Sequence, residues 1–256
     1  MGARGAKILI VGPTGIGKTS LLRTTALTST LFIDVESGDL SVQDLVVDTL
    51  RPRTWQECRD FAVLLAGTSP SVPAAACYSQ GHYDDAAKRY DVERLRSYRT
   101  FFIDSLTAIG RLCFAWAAQQ PEAFTERGKK DLRATYGLHA REQLAWLLHL
   151  QQARQVNVVL IGILETVVDD FRHTEHRLQF EGSRTGRELP AIIDEVITMA
   201  FVDFGDGVPV RAFVCNQPNA WGYPAKDRSG RLDPIEEPSL GKLLDKLTGP
   251  RTTAPF

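Results

Sequence analysis

Short, almost unbroken apolar runs recur along the chain: KILIV at residues 7 to 11, LFIDV at 31 to 35, TFFID at 100 to 104 and NVVLIGIL at 157 to 164. Runs of this length without alternation predict strands covered on both faces. Helical spacing of apolar positions occupies 18 to 28, 55 to 66, 105 to 119 and 138 to 154, and Thr54 with Glu57 makes a capping box ahead of the second of these, with Gly67 as its stop. Strand and helix in alternation predict an α/β fold with a doubly wound, mostly parallel sheet.

Beyond residue 190 the pattern changes. VITMAFVDF and VPVRAFVC flank FGDG and predict a C-terminal antiparallel hairpin, and SLGKLLDKL predicts a last helix ended by Gly249 and Pro250. Residues 68–97, rich in Ser, Pro, Gln and Tyr, and 165–189, polar with mixed charge, show no periodicity, and loops of that length in a compact domain are usually functional or disordered. One domain over 1–256 is expected, with 68–97 an unassigned insertion.

With 43% apolar and 24% charged residues the chain can bury one sizeable core. Thirty basic residues against 31 acidic ones withhold any global polyanion signal, so nucleic-acid contact would be local. Cys58, Cys77, Cys113 and Cys215 have no C-x-x-C spacing, which argues against zinc and a disulfide scaffold and for a reducing, cytoplasmic setting. The N-terminus lacks a signal-peptide core and VVLIGIL is too short to span a bilayer, so no membrane association is expected.

GPTGIGKT, residues 12 to 19, fits G-x-x-x-x-G-K-[ST] directly after an apolar strand and at the start of a helical pattern. The loop Gly12, Pro13, Thr14, Gly15, Ile16 and Gly17 would wrap its backbone N–H groups around a phosphate, and Lys18 would reach the β- and γ-phosphates of a nucleotide. The Thr19 hydroxyl would bind Mg²⁺, and Ser20 extends the loop. A second metal carboxylate should end a neighbouring apolar strand, and Asp104 does so in RTFFIDS.

Ser105, rather than Glu, follows Asp104, so a base for water must come from elsewhere. In LFIDVES, Asp34 and Glu36 alternate onto one side of the strand, and Glu36 lies just past the strand edge where phosphates sit. Glu36 is the expected general base and Asp34 its hydrogen-bonding neighbour.

The order GPTGIGKTS, FIDVES, FFIDS, VVLIGILE resembles the RecA-type ATPase core, in which an IDAE-like strand end carries the catalytic glutamate and a VDS strand end the metal aspartate. YGLHAREQLAWLLHL looks like the helix before the fourth strand. The resemblance puts Glu165 where recombinases usually carry a γ-phosphate-sensing Gln, a departure that leaves Thr166 as the alternative sensor. In YPAKDRSGRL it assigns Lys226 and Arg228 to the neighbouring protomer's nucleotide, as an arginine finger acts. AKDRSG with PIEEPSLGKLLDKL is similar to small phage-encoded, core-only RecA-like proteins of single-strand annealing and recombination.

That resemblance implies two DNA-facing loops, near 119–137 and 166–189. The first holds Arg127, Lys129, Lys130 and Arg133 near Phe124 and Tyr136; the second holds Arg172, Arg177, Arg184 and Arg187 near Phe171 and Phe180. Cations with aromatic faces suit unspecific single-stranded DNA. Only about six residues precede the first strand, so the extension by which recombinase protomers hook together is expected to be missing, which favours annealing or an accessory role over strand exchange. The expectation is an Mg-dependent, self-assembling ATPase acting on single-stranded DNA, with a single-strand-binding or annealing protein as its candidate protein partner. A nucleotide-gated adaptor or loader with little turnover, and a small-molecule kinase, are the alternatives.

Overall fold

The computed structural model describes residues 4–168, 174–205 and 207–250; of Ser183, Arg184 and Arg187 it describes the backbone. Arg172, with Phe171, lies outside the described residues.

The four apolar runs form β1 (Lys7–Gly12), β2 (Thr30–Asp34), β4 (Thr100–Asp104) and β5 (Asn157–Val168), with β3 (Asp48–Leu50) as a short addition after β2. Every residue of β1, β2 and β4 is buried. Five further strands complete the sheet: β6 (Thr174–Leu178), β7 (Glu195–Val202), β8 (Val210–Val214), β9 (Lys226–Asp227) and β10 (Ile235–Glu236). Their order is β10-β8-β7-β1-β5-β4-β2-β3, with β6 on β5 and β9 on β7. From β7 to β3 every neighbour is parallel; β7 with β8 and β8 with β10 are antiparallel. This is the expected α/β fold: a doubly wound, mostly parallel sheet with a C-terminal antiparallel hairpin.

Period-2 alternation sorts the side chains onto two faces. Leu9, Val11, Leu31, Ile33, Phe101 and Ile103 pack on one side under α1 (Trp55–Ala66), α4 (Leu106–Ala117) and α5 (Leu132–Leu150). Ile8, Ile10, Phe32, Phe102 and Ile161 pack on the other, against Leu21, Leu22 and the Leu240, Leu243 and Leu247 stripe of α7 (Leu240–Thr248). The Thr54–Glu57 capping box starts α1, and Gly67 at φ 80° ends it.

Four segments differ from the sequence expectation. The helix over 18 to 28 is a 3₁₀ turn, Thr19–Thr24, followed by a second at Leu27–Ser29. Its threonines explain the early stop: the hydroxyls of Thr24 and Thr25 donate back to the carbonyls of Leu21 and Leu22, and Thr24 Oγ1 accepts the N–H of Leu240. α5 begins at Leu132 rather than 138, because the Asp131 carboxylate caps it by accepting the Ala134 N–H at 3.0 Å.

The 68–97 stretch holds two short helices, α2 (Gln80–Ala87) and α3 (Val92–Ser97), each with a side-chain cap, from Ser79 and Asp91. Asp60 of α1, 1% exposed, anchors this stretch. It accepts from Gln56 at 2.8 Å, from His82 Nε2 at 2.9 Å and from Arg89 at 2.6 Å. The Tyr78 N–H donates to His82 Nδ1, which leaves the proton on Nε2 facing Asp60. Tyr78 also stacks on His149 of α5 at 4.0 Å. In the second unassigned stretch, β5 runs on to Val168, β6 returns antiparallel to it, and α6 (Ser183–Ile192) leads into β7.

Candidate active site

The register of the parallel strands decides what meets at the carboxyl edge. Asp34, Asp104 and Ile161 are level across β2, β4 and β5, and Gly12, where β1 gives way to the phosphate loop, is level with Ile163. Two strand-end carboxylates and the loop therefore share one end of the sheet. A cleft of about 300 Å³ opens there, lined by the loop from Thr14 to Ser20 together with Glu36, Asp104 and Ser105.

Inside the cleft the polar groups already contact one another. Lys18 Nζ donates to the carbonyls of Gly12 and Pro13, both at 2.9 Å. Thr19 Oγ1 donates to Asp104 Oδ2 at 2.6 Å. The Ser105 hydroxyl donates to Glu36 and accepts the Ala108 N–H at 3.2 Å, so one side chain caps α4 and holds the Glu36 carboxylate. The Asp104–Ser105 peptide is cis. Burial draws the Lys18 ammonium below its ordinary pKa against the pull of Asp104 and Glu36, and burial pushes Asp104 up to about 6, opposed by the Thr19 hydrogen bond and Lys18 and aided by Glu36.

Asp34 and Glu36 have parted company. Asp34, 2% exposed, accepts the Gly38 N–H and the Arg51 Nε, each at 3.1 Å, which closes the turn after β2. The Asp104 carbonyl accepts the Val35 N–H at 2.8 Å, and Glu36, exposed, is thereby carried over the cleft.

The donor set fits Mg²⁺. A hydroxyl and a carboxylate are hard oxygen ligands, and a nucleotide's phosphates beside Lys18 would supply others, which suits an ion that takes few protein ligands. Among the described residues no group of three or more His, Cys, Asp or Glu could hold a metal alone.

Other expected residues lie elsewhere. Glu165 is two residues beyond Ile163, opposite Arg177 on β6, and lines a separate cavity of about 700 Å³ beneath the β5–β6 hairpin. Lys226 and Arg228 sit at the opposite end of the sheet from the cleft, because Lys226 pairs with Val196 at the start of β7. Lys226 Nζ donates to the carbonyls of Pro190 and Ile193 at 2.6 and 2.7 Å, and Arg228 to Asp194 and the Ala191 carbonyl, both at 2.8 Å. Both side chains thus secure the end of α6. Arg127, Lys129, Lys130 and Arg133 are exposed around a turn closed by a bridge between Phe124 and Lys130. Arg177 pairs with Glu175, and the side chains of Arg184 and Arg187 are outside the description.

One neighbour of the loop has no sequence signature. Arg211 of β8 reaches the loop and donates to the Ile16 carbonyl at 3.3 Å. Its only trace in the sequence is a lone cation inside the apolar run VPVRAFVC.

Residues 4–229 match the family model AAA_24, an AAA domain. The chain belongs to this AAA-domain family. With the phosphate loop and the Thr19–Asp104 pair at the end of a parallel sheet, family membership makes it a P-loop ATPase-type, nucleotide-binding domain. No curated protein matches it. Among solved structures it is similar to a prototypical ATPase from the type III secretion system of pathogenic bacteria, at 15% identity and a TM-score of 0.40, over 77% of this chain and 51% of that one. It is also similar to the RadB recombinase, at 15% identity and a TM-score of 0.33, over 83% and 80%. The chain spans about half the length of the secretion ATPase. Among the described residues no helix is long and apolar enough to cross a membrane.

Proposed function

We propose that this AAA-domain protein hydrolyses Mg·ATP with Glu36 as general base, assembles with itself so that the nucleotide lies between protomers, and acts on single-stranded DNA in recombination or annealing. The observation that carries the reading is the placement of Glu36: the Ser105 hydroxyl that follows Asp104 holds its carboxylate at the mouth of the phosphate loop.

Each residue has a task in this reading. Lys18 leaves the Gly12 and Pro13 carbonyls for the β- and γ-phosphates, and the loop N–H groups surround them. Thr19 and Asp104 would hold Mg²⁺, which neutralises phosphate charge when bound. Glu36 takes a proton from the attacking water as its oxygen bonds to the γ-phosphorus and the bond to ADP breaks. Ser105 keeps the carboxylate aimed.

The opposite placement of cleft and cations supports action in trans. Lys226 and Arg228 cannot serve their own protomer's cleft from the far end of the sheet, but a head-to-tail neighbour would present its cleft to that end. To act they must leave the α6 carbonyls. The exposed cations Arg127, Lys129, Lys130 and Arg133 are the proposed DNA contacts of the first loop, and Arg172, Arg177, Arg184 and Arg187 those proposed for the second.

The test is steady-state ATPase activity against protein concentration, with and without single-stranded DNA, across a salt series. The proposal expects activity per protomer to rise with concentration, DNA to stimulate it, salt to remove the stimulation, and Lys226→Ala to flatten the concentration dependence. Concentration-independent activity would remove the trans assignment; activity blind to DNA would remove the nucleic-acid assignment.

A further inference from the structure

Arg211 belongs to β8, where it stands opposite Phe201 of β7, and 195 positions separate it in sequence from the residue it contacts. Its Nη1 donates to the Ile16 carbonyl at 3.3 Å, and it lies so close to Gly17 that a Cβ there would come within 2.7 Å of Nη1. Gly17 has a φ of 96°, a left-handed backbone conformation that requires glycine at this position.

The consequence follows from the peptide plane. In a trans peptide the C=O of one residue and the N–H of the next point in opposite directions. Holding the Ile16 carbonyl toward Arg211 therefore turns the Gly17 N–H away from Arg211, and Gly17 itself lines the cleft where phosphate oxygens would lie. A cationic donor on that carbonyl also polarises the peptide and strengthens its N–H as a donor.

Two other supports hold the loop, and one is temporary. The Ile16 side chain, 6% exposed, is buried in the core below. Lys18 ties the loop from inside through Gly12 and Pro13, and those bonds are given up when it turns to phosphate. Arg211 holds the loop from β8 through a carbonyl that neither of these supports uses.

We propose that Arg211 is a positioning residue for nucleotide binding, acting through the Ile16–Gly17 peptide to aim the Gly17 N–H at the phosphate chain. The inference rests on the P-loop reading above for its ligand, and it joins the hairpin β7–β8 to the nucleotide site. It concerns the phosphates and not the nucleoside.

Calorimetric titration of wild type, Arg211→Ala, Arg211→Met and Arg211→Lys with Mg·ATP and with Mg·tripolyphosphate tests it, alongside KM and kcat. Loss of one charge-assisted hydrogen bond that orients a donor is expected to weaken both ligands by about tenfold in the Ala and Met variants. Arg211→Lys is expected to recover part of the loss, and kcat at saturation to stay within about twofold. Arg211→Met keeps the aliphatic stem, so unchanged melting with weakened binding excludes a folding defect. Two results overturn the inference: both ligands binding the variants as wild type, or ATP alone being weakened, which would place Arg211 on the nucleoside. Wild type binding both ligands without hydrolysing ATP would sink the ATPase proposal and leave this one standing; wild type binding neither would sink both.

Discussion

Thr19 and Asp104, 85 positions apart, meet through a 2.6 Å hydrogen bond from hydroxyl to carboxylate at the carboxyl edge of the sheet. The bond links the end of the phosphate loop to the end of β4, so the fold holds the two proposed metal donors in register. Asp104→Asn keeps the shape and removes the charge. It is expected to abolish the Mg-dependent part of ATP affinity and to lower turnover by at least about a hundredfold. Nucleotide titrations with and without Mg²⁺ measure this; an Asn variant with wild-type Mg dependence would show that Asp104 is no metal donor.

The Asp60 network predicts where stability resides. Asp60 and His82 are at most 9% exposed at the side chain, whereas Arg89 is half exposed. Removing the buried acceptor leaves His82 and Gln56 without their partner, while Arg89 can hydrate, so Asp60→Ala should cost about 2–3 kcal/mol. Arg94→Ala, which breaks the solvent-exposed pair with Asp48, should cost clearly less. Urea unfolding compares them, and equal effects would refute the claim that Asp60 anchors 68–97.

A pH dependence comes from Glu195 and Asp227. Burial, then the hydrogen bond and charge of Asp227, push the Glu195 carboxyl from 4.5 up to about 8. Burial works against charge on Asp227 as well, yet hydrogen bonds from Ser229, the Leu232 and Gly230 N–H groups and Glu195 hold its pKa below the usual value. Near neutrality Glu195 keeps the proton and Asp227 the charge. Between pH 4.5 and about 8 the unfolded chain has lost the proton that the folded chain retains, so this contribution is full below 4.5 and declines as pH rises toward 8. Melting temperatures from pH 5 to 8.5 should fall more steeply for wild type than for Glu195→Gln; parallel curves would contradict the assignment.

Much of this could be read along the chain, for physical reasons that differ by element. β1, β2, β4 and β5 announce themselves because strands buried on both faces must be apolar throughout, and the phosphate loop because its glycines have to be where they are. β3 and β9, three and two residues long, lack the length for a period. α2 and α3 escape notice because α2 is only weakly amphipathic, α3 buries no residue fully, and buried hydrogen bonds through Asp60, His82 and Arg89 tie their stretch down in place of an apolar stripe. Arg211 was invisible for another reason: its partner is a main-chain carbonyl, and no side-chain pattern records a backbone contact across 195 positions.

The central claim is that Glu36, brought to the cleft by Ser105, is the base for ATP hydrolysis. Single-turnover phosphate release by Glu36→Gln, with Mg·ATP binding measured on the same preparation, tests it most directly. The account predicts affinity within about threefold of wild type and hydrolysis slower by about 10²–10⁴-fold. Phosphate release at the wild-type rate from a fully loaded Glu36→Gln protein would contradict it.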